Sequence, residues 1–467
     1  MDVRIKFLGA VKSVTGSKYL LEIDDKRILV DCGLFQGPKE LRLRNWSKLP
    51  IDPKQIDVIV VTHAHIDHTG YLPRLAKEGY GGKIICTEAT KDLMGIMLPD
   101  AGKLQEEEAQ FAFKHGYSKH SKPEPLFGVA DAEMVLEMVE AHPMDKKIAL
   151  TNNIEISFRN AGHILGAALV EFYLRGDSQN KKIVFSGDLG REEDPLMYPP
   201  AKVNQADILL IESTYGDRNN PMDRVEKELE EVTNFTVDNG GLLIVPSFAV
   251  GRTQNLIYYF HKLIAEKRIP AIPIYIDSPM AISVSSLYEK HGQINKLEVH
   301  KEGSKLISVF DAPNIRFCNT PESSRELNDL KNPAIIVSAS GMCTGGRILH
   351  HLYHRLGNKK DTVLFVGYQA EGTRGRDILE GKESVRIFGI EVPIKCSIKK
   401  INGLSAHADQ SELMNWISAF ESSPKMTFIT HGEEATARVL QDKIKTTKGW
   451  NCFVPDYLES FELFSSI

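Results

Sequence analysis

The sequence predicts an α/β protein in which one sheet-containing domain is interrupted by a second domain with a parallel sheet. Apolar, β-branched runs such as residues 58–61 end abruptly at histidine or carboxylate side chains. From about residue 218 onwards, strand and helix patterns alternate, which is typical of a doubly wound sheet. Strand-end histidines then return at His407 and His431, so we expect the chain to re-enter its first domain there.

The first part of the chain contains short strands bounded by turn residues, and helices with apolar residues at helical spacing. The run 58–61 is Val or Ile at every position, which indicates a strand buried on both faces of its sheet. We predict strands over residues 3–8, 18–23, 27–30, 58–61, 83–87, 154–159, 182–185 and 207–211, and helices over residues 70–79, 91–115 and 131–141.

The second part alternates strands with helices through short polar turns. We predict strands over residues 242–246, 271–276, 334–337 and 362–366, and helices over residues 223–239, 251–263, 280–288 and 346–356. A strand at 394–401, a helix at 411–420 and a strand at 425–430 then belong to the returning first domain. We therefore place the first domain at residues 1–216 and 391–467, around an inserted domain at residues 217–390.

Composition places the chain among ordinary globular proteins, with 42% hydrophobic and 25% charged residues. No apolar stretch is long enough to span a bilayer, and the N-terminus lacks the pattern of a signal peptide. Six single cysteines suit reduced thiols, so we expect a cytoplasmic protein without a membrane partner. The net charge of −5 gives no general attraction for nucleic acid, so any polyanion must bind through cations and a local basic groove.

Four potential metal ligands, His63, His65, Asp67 and His68, lie within six positions just after the strand at 58–61. The sequence has only 15 histidines in 467 residues, which disfavours a loop that is polar by chance. A tight turn can aim His63 and His65 at one point, and Asp67 and His68 at an adjacent one. Two ions about 3.5–4 Å apart form the clamp of many phosphoryl-transfer hydrolases.

Further strands also end in ligand-type residues, at Asp31, His163, Asp188, Glu212 and His431. Imidazoles with carboxylates suit zinc better than magnesium, which prefers oxygen ligands. Asp31 fits either a direct ligand or a partner that orients a metal-bound histidine. The predicted two-zinc partition is His63, His65 and His163 for one ion, Asp67, His68 and His431 for the other, and Asp188 between them.

His407 is left over as a ligand and suits the protonation of a leaving oxygen, with Glu212 as the carboxylate that fixes its tautomer. The turns around Ser340 and Arg252 are candidate phosphate sites, because helix N-termini present free backbone N–H groups. The alternative for both turns is that their small residues only permit tight bends. Neither turn is a Walker A or dinucleotide motif, so no nucleotide cofactor is expected.

These motifs resemble those of the metallo-β-lactamase superfamily. The segment His63-Ala-His-Ile-Asp-His68, together with Asp31, His163 and Asp188, matches its metal-binding motifs. Three further motifs match its β-CASP nuclease branch: Glu212-Ser-Thr-Tyr-Gly, Ser-Ala-His407-Ala-Asp and Thr430-His431-Gly. The match runs from residue 1 to about residue 450. The sequence is similar to prokaryotic relatives of the pre-mRNA 3′-end-processing endonuclease.

The resemblance implies an αββα sandwich interrupted by a β-CASP domain, two zinc ions and hydrolysis of phosphodiester bonds. It gives Asp67, Glu212 and His407 catalytic roles, and His431 indicates RNA because DNA-repair members carry Val at that motif. We expect a ribonuclease, endonucleolytic with added exonuclease activity, that acts in RNA processing or decay. The resemblance also suggests a homodimer. From the positions of the first and last motifs, we expect no N-terminal KH domain and no long C-terminal extension.

Three alternatives stay open at this point. A DNA nuclease of the same fold is disfavoured by His431. A small-molecule hydrolase is disfavoured by the inserted domain with its phosphate-suited turns, because we expect that domain to cover the metal site and restrict entry to a groove. A non-catalytic RNA-binding scaffold is disfavoured because every metal ligand is present.

Overall fold

The computed structural model describes residues 1–115, 122–177, 179–302, 305–367, 369 and 372–466. Its internal contacts divide the chain into two compact units. The first is drawn from residues 1–192, 198–219 and 407–467, and the second from residues 193–197 and 220–406. Among the helices of the described part, none is long and apolar enough to cross a membrane.

Strands and helices alternate along most of the chain. The strands are β1 (Val3–Phe7), β2 (Tyr19–Ile23), β3 (Lys26–Val30), β4 (Val58–Val60), β5 (Lys83–Thr87), β6 (Val139–His142), β7 (Lys147–Ala149), β8 (Ile154–Asn160), β9 (Ala168–Arg175), β10 (Asn180–Phe185), β11 (Ile208–Glu212), β12 (Leu243–Pro246), β13 (Ile274–Asp277), β14 (His300–Glu302), β15 (Lys305–Ile307), β16 (Ile315–Phe317), β17 (Ile335–Ser338), β18 (Thr362–Phe365), β19 (Ser384–Ile387), β20 (Ile390–Pro393), β21 (Ser397–Lys400), β22 (Met426–Thr430), β23 (Cys452–Phe453) and β24 (Ser460–Phe464). The α-helices are α1 (Lys39–Arg44), α2 (Ile66–Thr69), α3 (Leu72–Lys77), α4 (Glu88–His115), α5 (Val129–Glu137), α6 (Val225–Asp238), α7 (Arg252–Ala265), α8 (Pro279–Lys290), α9 (Pro321–Glu326), α10 (Ile348–Arg355), α11 (Arg374–Leu379), α12 (Gln410–Ile417) and α13 (Glu434–Lys448). Short 3-10 turns cover Pro53–Gln55, Gly292–Ile294, Val309–Asp311 and Leu327–Asp329.

The first unit contains two seven-stranded sheets, ordered β24-β1-β2-β3-β4-β5-β6 and β23-β22-β11-β10-β9-β8-β7. Buried side chains of both sheets form one hydrophobic cluster, in which the rings of Phe7 and Phe428 lie 5.1 Å apart. Helix α4 packs on β5 and β6, and α13 packs on β22 and β23, outside that cluster. This arrangement confirms the predicted αββα sandwich.

Parallel pairing in this unit places the carboxyl ends of several strands at the same edge of their sheet. Strands β3, β4, β5 and β6 pair in parallel in one sheet, and β10, β11, β22 and β23 do so in the other. Residues that follow these strands therefore meet at one edge of each sheet.

The second unit is built on a six-stranded sheet, ordered β16-β13-β17-β12-β18-β21, in which every neighbouring pair is parallel. The chain starts at the central β12, crosses to β13 and β16 on one side, and finishes with β18 and β21 on the other. Right-handed crossovers in both directions place helices on both faces of such a sheet. The predicted doubly wound insert is confirmed.

Three local predictions differ from the structure. The strand at residues 397–400 pairs in parallel with β18, so it lies in the second unit and not in the first. The helix predicted to reach residue 141 ends at Glu137, because the following residues form β6 beside β5. Strand β9 is missing from the predicted elements, although it is mostly apolar and six of its eight residues are buried. The domain ranges 1–216, 217–390 and 391–467 stay a prediction.

Candidate metal centre and active site

Several candidate site residues lie at or just after the carboxyl end of a strand, whereas Asp67 and His68 lie in the short helix α2. His63 follows β4, His163 follows β8, Asp188 follows β10 and His431 follows β22, while Glu212 is the last residue of β11. The parallel neighbours β10, β11 and β22 bring three of these residues to the same sheet edge. Sheet topology therefore assembles side chains that are far apart in the sequence.

A first cluster joins His63, His65, His163 and Asp188. His65 Nδ1 lies 3.1 Å from His63 Nε2 and 3.2 Å from His163 Nε2. Asp188 Oδ2 lies 3.5 Å from His63 Nε2 and 3.7 Å from His163 Nε2. One donor atom from each of the four residues thus faces a common point.

A second cluster joins Asp67, His68 and His431. His431 Nε2 lies 3.2 Å from His68 Nε2 and 3.3 Å from Asp67 Oδ2. Asp188 reaches this cluster as well, because its Oδ1 lies 3.4 Å from His68 Nε2. The two oxygens of Asp188 therefore face different clusters.

Both clusters fit a bound metal. Zinc–nitrogen bonds of about 2.0–2.1 Å in a tetrahedron place ligand nitrogens about 3.3 Å apart, close to the 3.1 and 3.2 Å separations around His65 Nδ1. Three histidines and a carboxylate are a donor set that zinc accepts readily. His63, His163 and Asp188 are almost fully buried, and so many imidazoles packed together need a cation to satisfy their lone pairs.

Asp31 orients His68 from outside the clusters. Its Oδ2 lies 2.8 Å from His68 Nδ1, which directs His68 Nε2 towards the second cluster. The same carboxylate accepts hydrogen bonds from the backbone N–H of Thr62, at 2.8 Å, and from its hydroxyl, at 2.9 Å. Asp31 therefore lies in the supporting position that the sequence left open beside direct ligation.

Two threonines hold other rings in place. Thr62 Oγ1 lies 3.1 Å from His63 Nδ1, and Thr214 Oγ1 lies 3.0 Å from His431 Nδ1. In each ring, Nε2 is the atom that remains for the cluster. The sequence analysis missed both residues, although each is near a motif residue: Thr62 precedes His63 and Thr214 follows Glu212 by two positions.

The backbone is strained at two of these positions. Asp31 and His431 adopt φ values of 60° and 49°, in the left-handed region that non-glycine residues rarely occupy. Such residues cost about 1–3 kcal/mol each and tend to occur where function requires a fixed side-chain direction. Both directions here serve the second cluster.

Burial and nearby charges shift the pKa values of the cluster residues strongly. Burial lowers the pKa of His63 well below its usual value and that of His65 to about 4. Burial would raise the pKa of Asp67, but the nearby His68 and His431 outweigh it and lower that pKa to about 2. Neutral His63 and His65 rings are ready to bind a cation. Burial would also lower the pKa of His68, but the Asp188, Asp31 and Asp67 carboxylates outweigh it and raise that pKa well above its usual value.

His407 and Glu212 form a pair next to Asp188. His407 Nδ1 lies 3.1 and 3.2 Å from the two Glu212 oxygens and 3.9 Å from Asp188 Oδ2. Burial lowers the pKa of His407, but the Glu212 carboxylate outweighs it, with help from Asp188 and Asp67, and the pKa rises to about 9. Glu212 is itself fixed by the backbone N–H of Leu189, which donates to its Oε1 at 2.7 Å. The predicted pairing of the two strand ends is therefore present in the structure.

Comparison with known proteins places this site in a family. Family models match residues 14–231 (Metallo-beta-lactamase superfamily), 253–378 (Beta-Casp domain) and 391–455 (Zn-dependent metallo-hydrolase RNA specificity domain). Ribonuclease TTHA0252 of Thermus thermophilus is 37% identical, over 92% of this chain and 94% of that protein. The chain belongs to the β-CASP branch of the metallo-β-lactamase superfamily.

Two further relatives are also similar. The RNase J-like protein of Methanocaldococcus jannaschii is 31% identical over 97% of this chain and 98% of its own length. Transcription termination factor FttA of Methanosarcina mazei is 30% identical over 92% of this chain and 67% of its own length.

The two candidate phosphate-binding residues of this β-CASP protein lie in the second unit and are engaged locally. Ser340 Oγ accepts a hydrogen bond from the backbone N–H of Thr344 at 3.1 Å and donates to the Gly345 carbonyl at 3.2 Å. The Arg252 guanidinium donates to the Val366 carbonyl. These contacts support the structural alternative, a tight turn, for both positions.

Proposed function

We propose that this protein is a zinc-dependent ribonuclease that hydrolyses phosphodiester bonds within RNA and also trims RNA ends, in RNA processing or decay in the cytoplasm. The observation that carries this proposal is the pair of clusters, with Asp188 oxygens that face both and with His407 and Glu212 alongside. The relatives named as ribonucleases match nearly the whole chain, and one matched family model is described as an RNA specificity domain.

We assign His63, His65 and His163 to one zinc ion, and Asp67, His68 and His431 to the other. Asp188 serves both, since its Oδ2 faces the first set and its Oδ1 faces the second. When bound, such a metal pair supplies positive charge that stabilises a reacting phosphate and makes a water acidic near neutral pH. Asp31, Thr62 and Thr214 keep the ligand rings in their directions.

His407 holds the proton for the departing oxygen. Its Nδ1 faces Glu212, so this nitrogen carries the hydrogen of that contact, and Nε2 is the atom that transfers a proton. Glu212 keeps the ring charged through the physiological range, because it raises the pKa of His407. We give Asp67 a catalytic role in addition to its ligand role, since its Oδ2 lies 3.3 Å from His431 Nε2 and 3.9 Å from His68 Nε2.

RNA is the substrate that the motifs favour. His431 occupies the position at which RNA-processing members of the branch carry His. In the second unit, we propose that the turns at Ser340 and Arg252 contact backbone phosphates through their N–H groups, in addition to their structural roles.

The test incubates zinc-loaded protein with RNA and single-stranded DNA, each labelled at either end. Internal cuts in RNA, absent in His63→Ala, support the proposal. Cleavage of DNA in preference to RNA supports the DNA nuclease instead, and binding of RNA without cleavage supports the scaffold. Turnover of a β-lactam or a thioester without RNA cleavage contradicts the proposal.

A further inference from the structure

Arg191 is a buried cation three residues after Asp188 and is not part of either metal cluster. Its side chain is only 3% exposed. Its Nε lies 2.6 Å from Glu412 Oε2, and its Nη2 lies 3.5 Å from Asp409 Oδ2. Burial of a guanidinium is costly unless carboxylates compensate it, so this arrangement must be maintained by function or by folding.

Both carboxylates also fix the start of helix α12. Asp409 Oδ1 accepts hydrogen bonds from the backbone N–H groups of Ser411 and Glu412, at 3.0 and 3.1 Å. Glu412 Oε2 accepts one from the backbone N–H of Asp409 at 2.9 Å. This reciprocal capping makes the first turn of α12 rigid. Arg191 therefore binds a rigid element, and the N-cap residue of that element, Asp409, lies two residues after His407.

The backbone beside Arg191 contacts the residues that surround His407. The Leu189 carbonyl accepts a hydrogen bond from the backbone N–H of Ala408 at 2.8 Å, and the Leu189 N–H donates to Glu212 Oε1 at 2.7 Å. The Glu192 N–H donates to Glu412 Oε1 at 3.1 Å. Residues 188–192 thus contact His407 through its carboxylate partner, through its neighbour Ala408 and through α12.

Close packing leaves this segment little freedom on its other side. The Gly190 N–H donates to the Ala161 carbonyl at 2.8 Å, and a Cβ at Gly190 would lie 1.8 Å from the Gly162 carbonyl oxygen. Gly162 directly precedes the metal-cluster residue His163. The segment therefore provides a fixed base between the first cluster and His407.

We infer that Arg191 is a positioning residue that holds His407 against the metal centre by clamping Asp409 and Glu412. The inference rests on the proposed ribonuclease function, because it assigns His407 to proton transfer. Without the clamp, α12 and the residues before it lose their attachment to residues 188–192, and His407 Nε2 moves from its working position. A displacement of about 1 Å costs about 100-fold in rate when geometry limits the reaction.

A double-mutant cycle tests this role. Single-turnover cleavage of end-labelled RNA is measured for the wild type, Arg191→Met, His407→Ala and the double variant, each loaded with zinc. We expect Arg191→Met to slow cleavage about 10- to 100-fold, with the concentration for half-maximal rate unchanged. In the His407→Ala background the same substitution should slow cleavage by less than about threefold, because the group it positions is already gone.

One measurement, the zinc content, and two further variants separate this role from a general loss of structure. Zinc content stays at the wild-type level in Arg191→Met, because Arg191 pairs with Asp409 and Glu412, and neither is an assigned metal ligand. Asp409→Asn keeps an N-cap residue but removes a charge that faces Arg191, so it should slow cleavage in the wild-type background and not in His407→Ala. Arg191→Lys, which keeps the charge without the planar fork, should recover part of the rate. These two variants carry the test if Arg191→Met does not fold.

Equal slowing in both backgrounds overturns the inference, as does loss of zinc from the Arg191 variants, which would place the effect at Asp188. A wild-type protein that fails to cleave RNA overturns the proposed function together with this inference. If the wild type cleaves RNA but the effects of the Arg191 and His407 substitutions are additive, the inference is overturned and the proposed function is not.

Discussion

Removal of the His407 side chain should slow RNA hydrolysis without emptying the metal centre. His407 contacts both oxygens of Glu212 at 3.1 and 3.2 Å and is not one of the assigned ligands. Positioned general acids contribute about 10²- to 10⁴-fold to rate. We therefore expect His407→Ala to slow single-turnover cleavage by that factor, equivalent to about 3–5 kcal/mol of transition-state stabilisation.

The chemical role of His407 can be isolated by the leaving group. RNA with sulfur in place of the bridging oxygen, at the 3′ or the 5′ side of one phosphate, expels a thiolate that needs no proton. For the substrate with sulfur at the departing position, the wild type and His407→Ala should differ by less than about tenfold. The unmodified RNA, measured in parallel, should retain the full difference.

A proton-transfer role would be refuted by an equally large defect on both thio substrates. That result would mean that His407 acts by structure or by holding metal. Full activity of His407→Ala on unmodified RNA would also refute it. Zinc content and thermal stability, measured on the same samples, control for a damaged site.

Three further predictions concern the support of this site and the core. Asp31→Ala should weaken zinc binding about 10- to 100-fold, measured by competition with a chelator, because His68 loses its orienting carboxylate. Phe428→Ala, in the core between the sheets, should lower the free energy of unfolding by about 3–5 kcal/mol, whereas Phe235→Ala, 42% exposed, should change it by less than about 0.5 kcal/mol. Burial lowers the pKa of Lys18 to about 8, so between pH 8 and 10.5 the unfolded chain binds more protons than the folded one. The free energy of unfolding of the wild type should therefore rise over this pH range by up to about 3 kcal/mol relative to that of Lys18→Met. Unaltered zinc affinity, equal losses for the two phenylalanines, or parallel pH profiles would contradict these expectations in turn.

The sequence identifies candidate site residues because their signals are local and chemical. His63 and Asp188 each follow a short apolar strand, and parallel strands in a sheet bring their ends together, so the sequence pattern alone predicts where they lie. The pairing of Glu212 with His407 needed one more assumption, that the chain returns to its first domain. The structure bears out that assumption.

Long-range pairing was the part that the sequence could not provide. Strand β24 pairs with β1 from the opposite end of the chain, and nothing in Ser460–Phe464 identifies that partner. Strand β21 joins the second unit although it directly precedes the returning motifs, because its partner β18 lies there. Apolar patterning marks a strand but does not choose between two sheets.

Supporting residues were missed for a related reason. Thr62 and Thr214 are common residue types whose roles depend on ring directions, which only the folded site defines. Arg191 and its partners Asp409 and Glu412 are more than 200 positions apart, so no spacing rule connects them. The sequence signal for these supporting residues is their closeness to the motifs, since each lies in a motif or within three residues of a motif residue.

The most direct test of the two-cluster ribonuclease is a zinc titration of chelator-treated protein, with bound zinc and RNA cleavage measured on the same samples. The account predicts two zinc ions per chain and cleavage that appears as both clusters fill. It also predicts that His163→Ala and His431→Ala each lose one ion and nearly all activity. Full RNA cleavage by protein that holds no metal, or by a variant that holds one ion, would contradict it.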